Sequence, residues 1–238
     1  MAEPTPDSVR AAIATQSAAR GFALSHHGAM AAALPDLAGP YAALYRALTL
    51  DQRHLTPFER EAIWLGILTA CEEPVGTHHV AAFFATGGTQ DQATAIFALA
   101  AWAAGSRTYA FLQNNWAEDF PAAPTAYTAK AKTLAAPLDE PTARLVLLAI
   151  NAATPNPWAL AQDLAAAYAA QTPEPKMAEA LSLIIWPRGV NRFVAATDAW
   201  LALLRSGQVT ASPPFQAWAD TPGQGAYQPS AYQQGKAR

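Results

Sequence analysis

Residues 57 to about 118 recur without a gap 84 positions later in the sequence. The recurrence pairs Pro57 with Pro141, Arg60 with Arg144, Phe84 with Tyr168, Trp102 with Trp186, Gly105 with Gly189 and Trp116 with Trp200. Alanine matches carry little weight in this alanine-rich chain, but tryptophan and glycine pairs at a single offset are rare by chance. The pattern indicates an internal duplication, whose expected form is two helical layers related by a pseudo-twofold axis.

Composition favours helices throughout the chain. Alanine and leucine are abundant, charged residues make up only 14% of the sequence, and β-branched residues are sparse. Alanine and straight-chain residues are good helix formers, whereas strands favour β-branched and aromatic residues. We therefore predict an all-α fold, and 238 residues suffice to bury a substantial core.

The charge pattern argues against several classes of partner. The net charge is −3 at pH 7, and lysine and arginine are scattered without a basic run. Nucleic acids and anionic membranes are bound through clustered basic residues, so we expect neither as a partner. The longest apolar run, Ala93 to Gly105, is too short to cross a bilayer, and the N-terminus does not resemble a signal peptide. We expect a soluble, cytoplasmic protein.

Helix patterns and helix breakers divide the sequence into five segments. We expect N-terminal helices in residues 1–54, a first repeat in 55–118, a connector in 119–137, a degenerate second repeat in 138–205 and a polar tail in 206–238. Disordered tails are usually poor in aromatic residues. Trp218, Tyr227 and Tyr232 therefore favour a tail strapped across a neighbouring subunit over a disordered one.

One turn of the first repeat carries reactive side chains. Between two apolar helical stretches the chain reads Cys71-Glu72-Glu73-Pro74-Val75-Gly76-Thr77-His78-His79, and this cluster does not recur in the second repeat. The preceding helix is expected to begin with Thr56 as N-cap and Pro57 in the first helical position. Chemistry is therefore expected in the first repeat.

An Arg60-Glu61 pair opening an apolar helix, a short polar turn, and a helix running from His78 to Gly87 resemble the carboxymuconolactone decarboxylase and alkylhydroperoxidase D-like superfamily. The resemblance covers residues 41 to about 118, and residues 138–205 as a degraded second copy. It implies an all-helical, alkylhydroperoxidase D-like subunit that assembles into trimers or hexamers. In its peroxidase branch, a Cys-x-x-Cys-x-x-x-His motif works with a glutamate one helix earlier.

The chain lacks the cysteine pair of that branch. With His79 in the position of the family histidine, Glu72 and Val75 take the cysteine positions; with His78 there, Cys71 and Pro74 take them. A dithiol peroxidase needs a second thiol to resolve the oxidised first one. In the decarboxylase branch, a glutamate shortly before a histidine serves the pocket, and Glu72 or Glu73 roughly fills that role.

Each candidate side chain has a structural and a chemical interpretation. Glu61 can favour the start of its helix, or be buried at a pocket where desolvation would raise its pKa and make it a proton shuttle. His78 and His79 lie about 100° apart on a helix, so one is expected to face the pocket and the other to serve structure or a subunit contact. Glu72 and Glu73 can cap the next helix or orient an imidazole, and Cys71 can be inert packing or a nucleophile.

The leading hypothesis is a cofactor-free acid/base enzyme, of the decarboxylase, lyase or isomerase type, acting on a small organic acid or lactone. Its catalytic residues are expected among Glu61, His78, His79, Glu73, Glu72 and Cys71. One alternative is a thiol peroxidase in which Cys71 is resolved by an external thiol. The other is a non-catalytic ligand-binding or assembly module.

We expect no cofactor and no metal. No phosphate loop, nucleophile elbow or dinucleotide fingerprint is present in the sequence. Adjacent histidines replace the i, i+4 pair that would place two imidazoles on one helical face. The expected partners are a small-molecule substrate and further copies of the chain, as a dimer, trimer or hexamer.

Overall fold

The computed structural model describes residues 3–225. Every regular element among them is a helix, which confirms the predicted all-α class. The chain divides into two compact units, Met1–Asp51 and Gln52–Arg238.

The described part of the N-terminal unit consists of three short α-helices and a π-helical turn. Its helices are α1 (Pro6–Arg20), α2 (Ser25–Ala33) and α3 (Ala38–Tyr45), the last continuing into a π-helical turn, Arg46–Leu50. Thr5 begins α1 with a capping box, and Gly21 ends it in the left-handed region at φ +80°. Few side chains of this unit are buried, Met30, Ala31, Tyr45 and Thr49 among them.

The second unit contains the large apolar core. Its helices are α4 (Pro57–Ala70), α5 (His78–Ala85), α6 (Gln90–Gly105), α7 (Arg107–Asn115), α8 (Ala123–Leu134), α9 (Glu140–Ala153), α10 (Pro157–Ala169), α11 (Glu174–Ser182), α12 (Ile185–Arg188), α13 (Val190–Arg205) and α14 (Pro213–Asp220). A 3-10 turn, Pro74–Gly76, lies between α4 and α5.

Helices α4 and α9 form the centre of the core. Thr56 accepts a hydrogen bond from the backbone N–H of Glu59, and the Glu59 side chain closes a capping box, so α4 begins where the sequence predicts. Nearly the whole of α9 is buried. Gly66 allows α4 to approach α9, because a Cβ there would lie 2.9 Å from Val146 Cγ1 and 3.0 Å from Ile150 Cδ1.

Two helices lie where the sequence pattern indicated irregular chain. The segment 119–137 contains α8, whose Tyr127 is only 1% exposed and belongs to the core. The start of the tail contains α14, whose Trp218 packs against Trp200 of the same chain, with ring centroids 5.7 Å apart. Trp218 thus packs within its own chain, while Tyr227 and Tyr232 lie outside the described residues.

One stretch of the described chain, Gln90–Asn115, has the length and composition of a membrane-spanning helix. It comprises α6 and α7, which meet at Ser106. Core helices of globular proteins meet the same criteria, and α6 contributes Ala93, Ile96 and Leu99 to the core.

Candidate functional sites

Helix α4 places two adjoining side chains of the predicted site. Glu61 and Trp64 are three residues apart, so they lie next to each other on one helical face. Their exposed fractions are 5% and 1%. The face that sequence analysis expected to carry a buried carboxylate is therefore buried, and an indole ring lies beside the acid.

The turn between α4 and α5 brings the histidines back towards this face. Glu73 Oε1 accepts a hydrogen bond from the backbone N–H of Val75 at 2.9 Å, so this carboxylate caps the 3-10 turn. Gly76 then lies directly against Leu68, where a Cβ would overlap the leucine side chain. Helix α5 then begins at His78.

Glu61 and His79 meet at the resulting contact. His79 Nδ1 lies 2.7 Å from Glu61 Oε2, and both side chains are 6% exposed. The second carboxylate oxygen, Oε1, accepts a hydrogen bond from Arg60 Nε at 3.1 Å. The structure thus joins a carboxylate and an imidazole from consecutive helices, with a guanidinium group on the far side of the carboxylate.

The pKa of Glu61 is lowered, whereas sequence analysis expected it to be raised. Burial pushes the pKa upward and is the largest single influence, but hydrogen bonds and charges from His79 and Arg60 together outweigh it. The expectation was wrong because it counted desolvation without the two donors. Glu61 is therefore a fixed anion near neutral pH, suited to orienting the imidazole rather than to shuttling protons.

The two neighbouring histidines lie in different environments. His79 is buried, whereas His78 is exposed. Within the described chain, His79 has a hydrogen-bonding partner in Glu61, which it meets through Nδ1.

Trp64 covers one face of the His79 ring. The ring centroids are 4.6 Å apart, with an interplanar angle of 19°. Within the described chain, Trp64 Nε1 is buried and has no hydrogen-bond partner. Buried donors in native proteins are nearly always satisfied by protein, water or ligand, and in the described chain Trp64 Nε1 shares its unpaired state with Trp102 Nε1.

Three other predicted residues lie in the connecting turn. Glu72 is exposed and its backbone lies in the left-handed region at φ +55°, so it shapes the turn. Glu73 is engaged by the capping bond described above. Cys71 is half-buried against the core, and burial raises the pKa of its thiol. The charge of Arg188 opposes that rise and the charge of Glu73 adds to it.

A second polar cluster, built by α8, α9 and α10, was missed by sequence analysis. Asp163 Oδ2 accepts a hydrogen bond from Asn151 Nδ2 at 2.7 Å, and Asp163 Oδ1 accepts one from Tyr127 Oη at 3.2 Å. Asn151 Nδ2 also donates to Tyr127 Oη at 2.9 Å. Each of the three side chains is 5% exposed or less. We call these residues the Asp163 cluster.

The Asp163 cluster opens onto a cavity of about 300 Å³. Its walls are mostly alanine and leucine, and its polar lining consists of Tyr127, Thr128, Lys132, Glu140, Arg144 and Asp163. Burial raises the pKa of Asp163 to about 7, although bonds from Asn151 and Tyr127 and the charge of Arg144 oppose the rise. A carboxyl group that titrates near neutral pH beside an apolar cavity is typical of ligand and catalytic sites.

A signal for this site was present in the sequence. Asp163 lies 84 positions after His79, so it occupies the position equivalent to His79 in the predicted second repeat. Comparing identities alone concealed this, because an acid replaces an imidazole and Leu145 stands at the position equivalent to Glu61. Tyr127 could not have been found in this way, since it comes from the segment interpreted as a connector.

The N-terminal unit has a cavity of its own, of about 840 Å³, lined in part by His27, Tyr41 and Arg46. His26 Nε2 and Tyr41 Oη lie 2.8 Å apart. Burial lowers the pKa of His27, and the charges of His26 and Arg20 lower it further. These groups leave His27 neutral near pH 7.

Among residues 3–225, no group of three or more histidine, cysteine, aspartate or glutamate side chains is placed to hold a metal ion. Comparison of the chain with protein-family models, with curated proteins and with solved structures gives no match. Its function must therefore be inferred from the chemistry of the sites themselves.

Proposed function

We propose that the chain is an acid/base enzyme in which His79 exchanges protons with a small organic acid or lactone, without a cofactor. The observation that carries the proposal is the buried 2.7 Å contact between His79 Nδ1 and Glu61 Oε2. A carboxylate bound to one ring nitrogen fixes the tautomer and orientation of the imidazole. It leaves the other nitrogen, Nε2, to act as the base.

The lowered pKa of Glu61 fits this role. An ionised Glu61 accepts a hydrogen bond from the Nδ1–H group and stabilises the imidazolium that forms when Nε2 takes a proton from substrate. His79 would then return that proton to the product. Glu61 does not itself exchange protons in this scheme, and Arg60 limits the negative charge by binding the second carboxylate oxygen.

Two groups near the imidazole favour an oxygen-rich, anionic substrate. The guanidinium of Arg60 brings positive charge to the site. The indole N–H of Trp64 is an unused donor within the described chain, of the kind that a carboxylate or lactone carbonyl oxygen satisfies. Together with the buried imidazole, these groups support a carboxylated substrate of the kind that the family resemblance implies.

We also propose that residues 55–118 and 138–205 are copies of one ancestral unit, of the alkylhydroperoxidase D-like type. Helix ends support this, because α5 ends at Ala85 and α10 at Ala169, while α6 begins at Gln90 and α11 at Glu174, each pair 84 positions apart. Gly66 packs against Ile150, its own equivalent in the other copy. Equivalent residues touch each other at a twofold axis, so this contact supports one between α4 and α9.

The test compares neighbouring histidines on the same helix. Purified protein is incubated in D₂O with carboxylated γ-lactones and small organic acids, and ¹H NMR follows proton exchange, decarboxylation and isomerisation. We expect His79→Gln to lower kcat/KM on the order of 10²- to 10⁴-fold, the range for loss of a general base. Glu61→Gln should lower it as well, whereas His78→Gln should leave it unchanged.

Thermal unfolding of each variant separates loss of chemistry from loss of fold. A folded His79→Gln protein that keeps full turnover would contradict the proposal, as would equal losses in His78→Gln and His79→Gln. Ligands that raise the Tm without any turnover would instead support the non-catalytic alternative.

We do not extend the proposal to a thiol peroxidase. Burial raises the pKa of Cys71, which lowers the fraction of reactive thiolate at neutral pH. Activity that survives alkylation of Cys71 would agree with this choice, whereas its complete loss would favour the peroxidase.

We further propose that the subunits assemble into a homo-oligomer. Phe111, Trp116 and Phe120 are about half exposed, and they pack in series with ring centroids 4.8 and 6.2 Å apart. Contiguous exposed aromatic groups mark interaction surfaces. Light scattering on the eluted protein should give a dimer, trimer or hexamer, and Phe111→Ser should weaken it.

A further inference from the structure

Burying the carboxyl group of Asp163 costs more free energy than burying an uncharged side chain at the same place would cost. A neutral side chain would avoid the desolvation penalty of an acid, although an asparagine would offer one acceptor oxygen in place of the two that Asn151 and Tyr127 use. A carboxylate accepts about four hydrogen bonds, and the two donors observed here leave acceptor capacity unused. The group is thus prepared for another donor, and a cationic one would offset its burial most strongly.

The surroundings of Asp163 provide room for such a partner. Asp163 lines the cavity of about 300 Å³, together with apolar side chains that include Leu99, Leu138 and Leu147. The ring of Tyr127 also faces this space, and Trp102 stacks on that ring with centroids 5.9 Å apart. Aromatic rings attract cations, and the cavity lining thus includes both an aromatic ring and a carboxyl group.

The remaining charged groups of the cavity are engaged with one another. Arg144 Nη2 donates to Glu140 Oε1 at 2.6 Å, and Arg144 Nη1 donates to the carbonyl oxygen of Ala166 at 3.1 Å. Lys132 Nζ lies 3.9 Å from Glu140 Oε2. Lys132 and Glu140 are mostly exposed, so solvent screens them, whereas Asp163 is 5% exposed.

We propose that this cavity binds a small, largely apolar amine, whose ammonium group pairs with the carboxylate of Asp163 and whose hydrocarbon part fills the space between α6, α8, α9 and α10. Tyr127 and Asn151 hold the carboxylate in place for that contact. The site is separate in its residues from the pair formed by Glu61 and His79.

The cavity is large enough for a single ring or a short chain. A dry cavity of about 150 Å³ accommodates benzene, and pockets for drug-sized ligands begin at about 300 Å³. Benzylamine is therefore a suitable probe. Benzyl alcohol and benzoate have nearly the same shape, but they carry a neutral and a negative head group.

Binding is measured by isothermal titration calorimetry on the full chain at pH 8, where Asp163 is mostly ionised given its pKa of about 7. We expect benzylamine to bind more tightly than benzyl alcohol, and benzoate not to bind. Asp163→Asn keeps the shape of the side chain and removes the charge. It should weaken the binding of benzylamine about 10- to 100-fold, which is the effect of losing one charge-assisted hydrogen bond.

Three further variants make the result specific. Asp119→Asn removes a carboxylate from the exposed surface and should leave benzylamine binding unchanged. Glu61→Gln should also leave it unchanged, so failure of the proposed acid/base function and failure of this proposal are distinguishable. Ala166→Leu fills part of the cavity without altering the carboxyl group, and should abolish binding even if Asp163→Asn does not fold.

Several results would overturn the proposal. Equal affinity of benzyl alcohol or benzoate would show that no carboxylate is engaged. Binding that persists in Asp163→Asn and in Ala166→Leu would place the ligand elsewhere. Absence of any benzylamine binding at millimolar concentration would exclude an amine site of this size.

Discussion

Glu61 and Asp163 are both buried carboxyl groups, yet their pKa values move in opposite directions. Burial acts upward on both. Glu61 gains two partners that can carry positive charge, His79 and Arg60, whereas Asp163 gains the neutral donors Asn151 and Tyr127 and only a more distant arginine charge. The charge of the hydrogen-bond donors thus decides whether the pKa of a buried carboxyl group rises or falls. Residue identity and burial alone do not reveal this direction.

Replacing Glu61 with glutamine should destabilise the protein in a pH-dependent way. A lowered native pKa means that ionised Glu61 stabilises the fold above its ordinary value of 4.5, and that this contribution is lost as pH falls through the native pKa. We expect Glu61→Gln to lower the free energy of unfolding by about 1–3 kcal/mol at pH 7 and by less at pH 3. Urea unfolding of both proteins at the two pH values measures this difference.

An exposed ion pair provides the control for Glu61. Glu140 is 60% exposed and pairs with Arg144. Glu140→Gln should change the free energy of unfolding by less than about 1 kcal/mol at either pH. Equal losses in the two variants would contradict the assigned role of the buried contact.

Replacing Asp163 with asparagine should have the opposite dependence. Between 3.8 and about 7, native Asp163 holds a proton that the unfolded chain has released, so the wild type loses stability as pH rises through this window. Asp163→Asn removes that loss. As pH rises from 4 to 8, the free energy of unfolding of the variant should rise relative to that of the wild type by on the order of a few kcal/mol. Parallel stability curves for the two proteins would show that Asp163 has an ordinary pKa.

At the level of elements, the helices with clear start and stop signals were predictable and the proline-rich ones were not. Thr56-Pro57 marks the start of α4, and Gly105 ends α6 as expected. Helix α8 begins at Ala123 with Pro124 in its first turn, and α14 begins with Pro213. In both cases a proline that opens a helix was interpreted as one that prevents it.

The close contact between α4 and α9 predicts how adding a methyl group at Gly66 changes the stability of the protein. Alanine normally stabilises a helix relative to glycine by about 1 kcal/mol. At Gly66 the added Cβ would meet Val146 Cγ1 at 2.9 Å, and valine has little rotamer freedom to move aside. We expect Gly66→Ala to destabilise the protein by about 1–3 kcal/mol in urea unfolding.

Two variants check that explanation. Gly105→Ala adds a Cβ where nothing lies within 4 Å, so it should be neutral or stabilising by up to about 1 kcal/mol. Adding Val146→Ala to Gly66→Ala should produce a smaller loss than the two single losses combined. Strict additivity would indicate that the two residues do not compete for space.

For the whole molecule, the described core lies within the second unit. The core cluster runs from Leu55 to Ala219, whereas few residues of Met1–Asp51 are buried. Stability follows buried apolar area, so the two units should differ strongly in resistance to local unfolding. The sequence predicts a boundary near residue 54 and the two units divide after Asp51, but the sequence pattern does not indicate how unequally burial is distributed.

Hydrogen exchange on the full chain should reveal this inequality. Amides of α1, α2 and α3 should exchange at least about 100-fold faster than those of α4 and α9, a difference of about 3 kcal/mol in opening free energy. A chain shortened to residues 52–238 should retain the slow exchange of α9. Equal protection across both units would show that they unfold together.

The stacking of Trp64 on His79 also makes the protein its own optical indicator. A protonated imidazole quenches the emission of an indole ring in contact with it, so fluorescence should dim whenever His79 becomes positively charged. The other six tryptophans contribute a background that a Trp64→Phe protein reveals by subtraction. Charge on the imidazole could thus be followed in real time while ligands are added, with no label attached.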